Sequence, residues 1–123
     1  MKITEDKNSA GYIITGYGDG FISVNEVIYQ QSLIITPEKL VTDWVATAPE
    51  DLTLKNLQQL KSWDPEIVII GTGKKQVFPE PEVMFWFSSQ GVGYEVMDTA
   101  AACRTVSILM SENRTVVAAL LPP

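Results

Sequence analysis

The sequence predicts an α/β fold: three layers around a central mixed, mostly parallel sheet, with β-hairpins supplied by the N-terminal part. Three observations predict it. Residues 53–121 alternate helical and extended patterns with short connections, which calls for right-handed crossovers and parallel neighbours. Residues 67–70, IVII, form a continuous branched apolar run of strand length, the pattern of a strand covered on both faces. The first 36 residues instead hold short extended runs parted by glycine-rich or polar turns.

The elements follow in order. Tyr12-Ile13-Ile14 and Phe21-Ile22-Ser23-Val24 flank GYGDG, a turn sequence suited to positive φ, and Asn25-Glu26 forms a second tight turn before Val27. Two linked hairpins are expected, which either extend the main sheet or pack beside it. Ser32 to Thr36 is a further short strand stopped by Pro37, and EKLVTDWVATAPED is irregular, with a short extended piece around Leu40 to Trp44. Thr53 caps a helix whose Leu54, Leu57 and Leu60 share one face, Leu52 and Leu57 stapling its start, with an end near Trp63.

Pro65 then resets the backbone for the Ile67–Ile70 strand. Pro79 and Pro81 lead into a helix over Glu82–Phe87, acidic at its positive end, with Gly91 as its C-terminal cap. Gly93–Met97 is the next strand, Asp98 or Thr99 caps a helix running to about Glu112, and Thr115–Leu121 is the last strand.

Size places residues 1–123 in a single domain. The formal charge of −6 repels nucleic-acid backbones and anionic membranes, and Lys74-Lys75 is the only adjacent basic pair. No apolar run reaches the ~20 residues of a membrane span, and MKITEDKNSAGY has neither an apolar leader nor an arginine-rich presequence. With one cysteine, Cys103, no internal disulfide can form. These features together point to a cytoplasmic protein. The sequence contains no histidine, which removes the Ser-His-Asp and Cys-His machineries and nearly every zinc shell. No metal or cofactor is expected.

The chemistry candidates are two. GTGKK, residues 71–75, lacks the spacing of a Walker loop, has two glycines where a dinucleotide fold needs three, and is separated from the next helix by VFPEP. It is first of all a tight strand end with solvated lysines. Open α/β sheets also bind ligands beyond the carboxyl ends of their strands, and there Gly71, Thr72, Gly73, Lys74 and Lys75 would meet Asp98 and Thr99 around a small anion. In MDTAAACRT, residues 97–105, Ala102, Cys103, Val106, Leu109 and Met110 fall on one helical stripe, with Arg104 and Ser111 nearly opposite. Cys103 is then a core thiol, and Arg104 is a surface charge, an ion-pair partner of Asp98 or Glu95, or a partner-binding fork. Glu80, Glu82, Glu95 and Asp98 have no cation-loop spacing, and helix capping accounts for most of them. Trp44, Trp63 and Trp86 are core residues or an interface hot spot.

PEIVIIGTGKK, GYEVMDTAAACRT, TVVAALLPP and GDGFISVNEVIYQQSLII together span nearly the whole chain. In these segments the sequence resembles the domain of unknown function 498, also called the Mth938-like domain family. The resemblance implies a three-layer fold with a central mixed sheet. It implies little about chemistry, and the family includes a mitochondrial assembly factor of complex I. Val106-Ser107 and Asn113-Arg114-Thr115 depart from the family's pattern.

Two functions are therefore open from the sequence. One is a cytoplasmic, non-enzymatic binding or assembly factor that holds a protein partner through exposed apolar surface, related by resemblance to the respiratory chain. The other is a small-anion or metabolite binder, or an enzyme, with Gly71, Thr72, Gly73, Lys74, Asp98, Thr99 and Arg104 at the strand ends.

Overall fold

The computed structural model describes residues 11–123. Of the segment read above for a leader, residues 1–10 lie outside the described residues. Strands β1 (Ile14–Gly18), β2 (Phe21–Val24) and β3 (Val27–Tyr29) form an antiparallel three-stranded sheet. Asn25 and Glu26 both have positive φ, +50° and +70°, as a two-residue hairpin turn of the primed type requires. The Asn25 side chain fastens the turn, accepting from the Ile13 N–H at 2.8 Å and donating to the Gly11 carbonyl at 3.2 Å.

The second sheet has the order β5-β4-β8-β6-β7, from β4 (Leu33–Ile35), β5 (Leu40–Val41), β6 (Ile67–Gly71), β7 (Gly93–Met97) and β8 (Val116–Leu120). β6 runs parallel to both β7 and β8, while β4 is antiparallel to β8 and β5. The sheet is thus mixed, with a parallel half contributed by the alternating segment. The hairpins do not extend it; they form their own sheet beside it.

Helix α2 (Pro81–Ser89) connects β6 to β7, one position outward, and α3 (Thr99–Ser111) connects β7 to β8, two positions back across β6. Since such crossovers keep one hand, the reversal of direction sends the helices to opposite faces. Val68, Ile70, Val117, Ala119 and Ile34 face α2 and the segment before β6, where Leu52, Leu57, Leu60, Val83 and Phe87 complete a core. Ile69, Ala118, Leu120, Leu33 and Ile35 face the other way, against Ala102, Cys103 and Val106 of α3 and Ile22 and Val24 of β2. The period of two along each strand gives each face its own core.

Four elements differ from the sequence expectation. The first strand, expected over Tyr12–Ile14 with GYGDG as its turn, runs instead over Ile14–Gly18: Gly16, Tyr17 and Gly18 pair with β2, and only Asp19-Gly20 turns, with Gly20 at φ +80°. The helix expected over 53–63 is α-helical only in α1 (Leu54–Leu57); residues Gln58–Trp63 continue as a 3₁₀ helix, ended by Asp64 at φ +55°. Leu54, Leu57, Leu60 and Trp63 recur at a strict spacing of three, which suits three residues per turn better than 3.6. The extended piece near 40–44 shrinks to Leu40–Val41, after which Trp44 and Ala46 turn into the core. Glu80 sits at the N-cap position of α2 but its side chain makes no cap hydrogen bond. Asp98, by contrast, caps α3 by accepting from Ala101 N–H at 2.9 Å, and Thr53 caps α1 by accepting from Asn56 N–H.

Candidate functional site

The carboxyl ends of β6, β7 and β8 meet the first turn of α3. Beyond Gly71, Thr72 is 1% exposed and Thr99 is 0% exposed, and both hydroxyls serve the backbone. The Thr72 amide donates to the Met97 carbonyl at 2.9 Å, and its hydroxyl donates to the Lys75 carbonyl and accepts from Val77 N–H. The Thr99 hydroxyl accepts from Gly73 N–H at 2.8 Å and donates to the Leu121 carbonyl at 2.7 Å, while the Thr99 amide donates to the Gly73 carbonyl at 2.9 Å. An anion cradle needs free N–H groups pointing outward. Those of Thr72 and Gly73 point inward and are bonded.

The two glycines have separate reasons. A Cβ on Gly71 would lie 2.9 Å from both Leu120 Cδ2 and Thr99 Oγ1 and 3.2 Å from Ala102 Cβ, so glycine lets α3 lie directly on β6. Gly73 has φ +101°, which favours glycine at the turn leaving the strand.

Above this closed layer the surface has two shallow depressions. One, of about 250 Å³, is bordered by Tyr17, Asp19, Gly73, Lys74, Asp98 and Pro123. The other, of about 350 Å³, is bordered by Thr47, Thr72, Gly73, Lys74, Lys75 and Pro122. Lys74 stands in water with its side chain 75% exposed, 3.3 Å from the still more exposed Asp19; such a pair contributes ~1 kcal/mol at most. Arg104 pairs with neither Asp98 nor Glu95. Its Nη1 donates to the Tyr17 hydroxyl at 2.8 Å, and that bond pushes the guanidinium pKa still higher.

The seven sequence candidates therefore divide. Lys74 and Asp98 border one depression, and Arg104 touches it only through Tyr17. Gly71, Thr72 and Thr99 belong to the floor beneath, and Gly73 forms the rim. Tyr17 and Asp19 were read only as part of a turn; they reach the site because the small sheet packs against α3, a placement with no local sequence signal. Cys103 is in the core, where burial pushes its thiol up to about 12 and the Arg104 charge opposes this only weakly, so it is not a nucleophile at neutral pH.

A different surface carries the two most exposed large apolar side chains, Phe78 and Phe85, while Ile13, Ile28, Val45 and Ile108 are exposed elsewhere. Trp44 is buried and Trp63 and Trp86 are half-buried against the core, which leaves no tryptophan hot spot. Phe78 (73% exposed), Met84 (48%) and Phe85 stand in water instead. Phe78 and Met84 wall a groove of about 460 Å³ that runs beside β7, with Gln76, Glu80, Tyr94, Glu95 and Val96 along it. Burial among apolar neighbours, including the stacked ring of Phe87 at 5.5 Å, pushes the Tyr94 phenol up to about 12. Among the described residues no three His, Cys, Asp or Glu side chains cluster as metal ligands, and no helix is long and apolar enough to cross a membrane.

The chain is similar to known proteins. The family model described as "Protein of unknown function (DUF498/DUF598)" matches residues 14–121. Among curated proteins, the chain is 31% identical over 124 residues to the NADH dehydrogenase [ubiquinone] 1 alpha subcomplex assembly factor 3 of Xenopus tropicalis, covering 99% of this chain and 67% of that one. It is 29% identical over 118 residues to a 13 kDa major membrane protein of Francisella tularensis, covering 94% and 95% of the two chains. Among solved structures, a Mth938-like domain of Bordetella pertussis superposes with a TM-score of 0.79 at 36% identity, covering 93% of this chain and 87% of that one.

Proposed function

Because the chain belongs to the family of unknown function DUF498/DUF598 and shares its Mth938-like fold, we propose that it is a non-enzymatic, cytoplasmic accessory protein that holds a protein partner while a larger complex is assembled. The name of the assembly-factor relatives supports the reading, and with it a link to respiratory-chain assembly. The observation that carries it is the distribution of exposed groups. At the strand ends the buried hydroxyls and amides are already bonded within the chain, whereas large apolar side chains, Phe78, Met84 and Phe85, are left in water near a sheet edge. A soluble domain normally buries such residues unless a partner covers them.

The test uses the tagged chain expressed in its native cell. A stoichiometric partner is expected to co-purify, and to be lost from Phe78→Asp and Met84→Asp variants whose thermal unfolding is unchanged. Recovery of the chain alone, as a monomer in light scattering, would count against the reading. Fractionation of the same cells checks the cytoplasmic placement against the membrane association that the Francisella relative's name raises.

A second reading rests on the Lys74, Asp98 and Tyr17 depression, with Arg104 behind it. It takes a small anion or carboxylated metabolite at Gly71, Thr72, Gly73, Lys74, Asp98, Thr99 and Arg104. A thermal-shift screen with phosphorylated and carboxylated metabolites tests it. Ligand shifts that survive both Lys74→Ala and Arg104→Ala end this reading.

A further inference from the structure

β7 is an outer strand of the five-stranded sheet, and its hydrogen-bonding parity can be read from its ends. Gly93 N–H donates to the Glu66 carbonyl, and the Met97 carbonyl accepts from Thr72 N–H, both at 2.9 Å. In a parallel pair alternate residues direct both backbone groups to the same side. Residues 93, 95 and 97 therefore face β6, and Tyr94 and Val96 direct their N–H and C=O groups away from it. The Val96 carbonyl confirms this, for it accepts from the Gln76 side-chain amide at 3.0 Å. Among the described residues the Tyr94 N–H and C=O and the Val96 N–H have no backbone partner.

The connection that runs beside this edge does not pair with it. Pro79 and Pro81 lack N–H groups, and the segment between Gln76 and α2 makes no backbone hydrogen bond to β7. It stands off, leaving the groove walled by Phe78 and Met84 on one side and floored by Tyr94 and Val96. The groove thus combines an unpaired strand edge with apolar walls, the two features that a peptide added as an extra strand uses for affinity and for side-chain selection.

Charge selects the occupant. Glu80 and Glu95 border the groove, and no lysine or arginine does. The chain as a whole carries −6. Two copies joined edge to edge about a two-fold axis would set these acidic borders against each other, and like charges across a strand pair are destabilising. We infer that the β7 edge accepts an extended segment of a partner protein, one that alternates apolar with basic residues. It adds as a further strand beside β7, its apolar side chains on the Tyr94 and Val96 face against Phe78 and Met84 and its cations on the opposite face against Glu95. The Gln76 amide leaves the Val96 carbonyl as the incoming strand replaces it. The inference rests on the reading of the chain as a partner-holding protein, and names where the partner binds.

The test is an NMR titration of the ¹⁵N-labelled chain at low salt with two short synthetic peptides, one alternating valine with lysine and one alternating valine with glutamate. The lysine peptide should shift the Tyr94, Glu95 and Val96 amides and slow exchange of the Tyr94 and Val96 N–H groups. The glutamate peptide should leave them unmoved. Glu95→Lys, an exposed substitution that leaves the core intact, should weaken the lysine peptide by about tenfold, because it turns an attraction into a repulsion. Val96→Pro, which removes one outward N–H, should abolish exchange protection. Equal shifts with both peptides, shifts confined to another surface, or no shifts at all would overturn the inference. So would a dimer in light scattering that Val96→Pro dissolves, since the edge would then belong to a second copy. If the edge fails these tests while a native partner is still captured by Glu95→Lys, the partner-holding reading stands and only the location falls. If no partner is captured by the unaltered chain either, both fall.

Discussion

Thr99→Val separates a structural hydroxyl from a ligand-binding one. Valine keeps the shape of threonine, so the packing of α3 on β6 is preserved and the change isolates the hydroxyl. In the native chain that hydroxyl, fully buried, satisfies Gly73 N–H at 2.8 Å and the Leu121 carbonyl at 2.7 Å. Each backbone group left unpaired in a dry interior costs about 1–3 kcal/mol. Two such groups give a loss of roughly 2–6 kcal/mol, a large share of the ~5–15 kcal/mol that holds a domain of this size together. Near the midpoint, 1 kcal/mol moves Tm by about 4 °C for a chain of this length, so a fall of roughly 8–24 °C is expected. Urea unfolding followed by tryptophan fluorescence reads the same loss as a lower midpoint at unchanged slope. Thr99→Ser keeps the hydroxyl and loses one methyl group, so it should fall by only ~1 kcal/mol. A valine variant within ~0.5 kcal/mol of the native chain, or a serine variant less stable than the valine one, would refute the assignment.

Other outcomes follow from the same geometry. Gly71→Ala should cost about 1–3 kcal/mol by forcing α3 off β6, since its Cβ would lie 2.9 Å from Leu120 and Thr99 atoms. Gly91→Ala meets no atom within 4 Å, and should cost only the ~1 kcal/mol of its left-handed φ of +73°; chemical denaturation of both separates crowding from backbone strain. Cys103 should not react with a thiol reagent at pH 8 in the folded chain and should react fully in denaturant, because its thiol is buried and pushed up to about 12. Glu66 accepts from Thr115 N–H and then from Arg114, which lowers its pKa below the ordinary 4.5. The stability from a depressed carboxyl is present above the unfolded value and lost as pH falls through the folded one. Glu66→Gln should therefore flatten the decline below about pH 4.5 in a pH series of unfolding midpoints.

The strands and caps were legible where one local rule decided them. Gly93–Met97 begins and ends where expected because a glycine cap precedes it and Asp98 follows it. The Asn25-Glu26 turn and the core face of α3 were equally readable, since both are short-range patterns. The helix after Thr53 was legible in its cap but not in its pitch, although the spacing of three among Leu54, Leu57, Leu60 and Trp63 held the signal. The site was less legible, for a physical reason. Gly71 reads the same whether a glycine admits a phosphate or a helix, and the answer lies with Thr99 and Ala102, which only the tertiary fold brings over it. Tyr17 and Asp19 likewise enter the strand-end surface from another sheet. The exposed Phe78 and Met84 lie in a segment whose prolines mark a connection but do not tell which strand it passes.

The hydrogen bond from Gly20 N–H to the Pro123 carbonyl, 2.8 Å long, ties the first hairpin turn to the residues that follow the last strand. The ladders of the hairpin are internal to the small sheet, but the turn amide of Gly20 is satisfied only once the residues after β8 are in place, a closure across residues 20 to 123. A closure of that span is slow compared with local helix formation. The Gly20 amide should therefore gain its exchange protection only after β8 has paired with β6, later than the amides bonded within the hairpins.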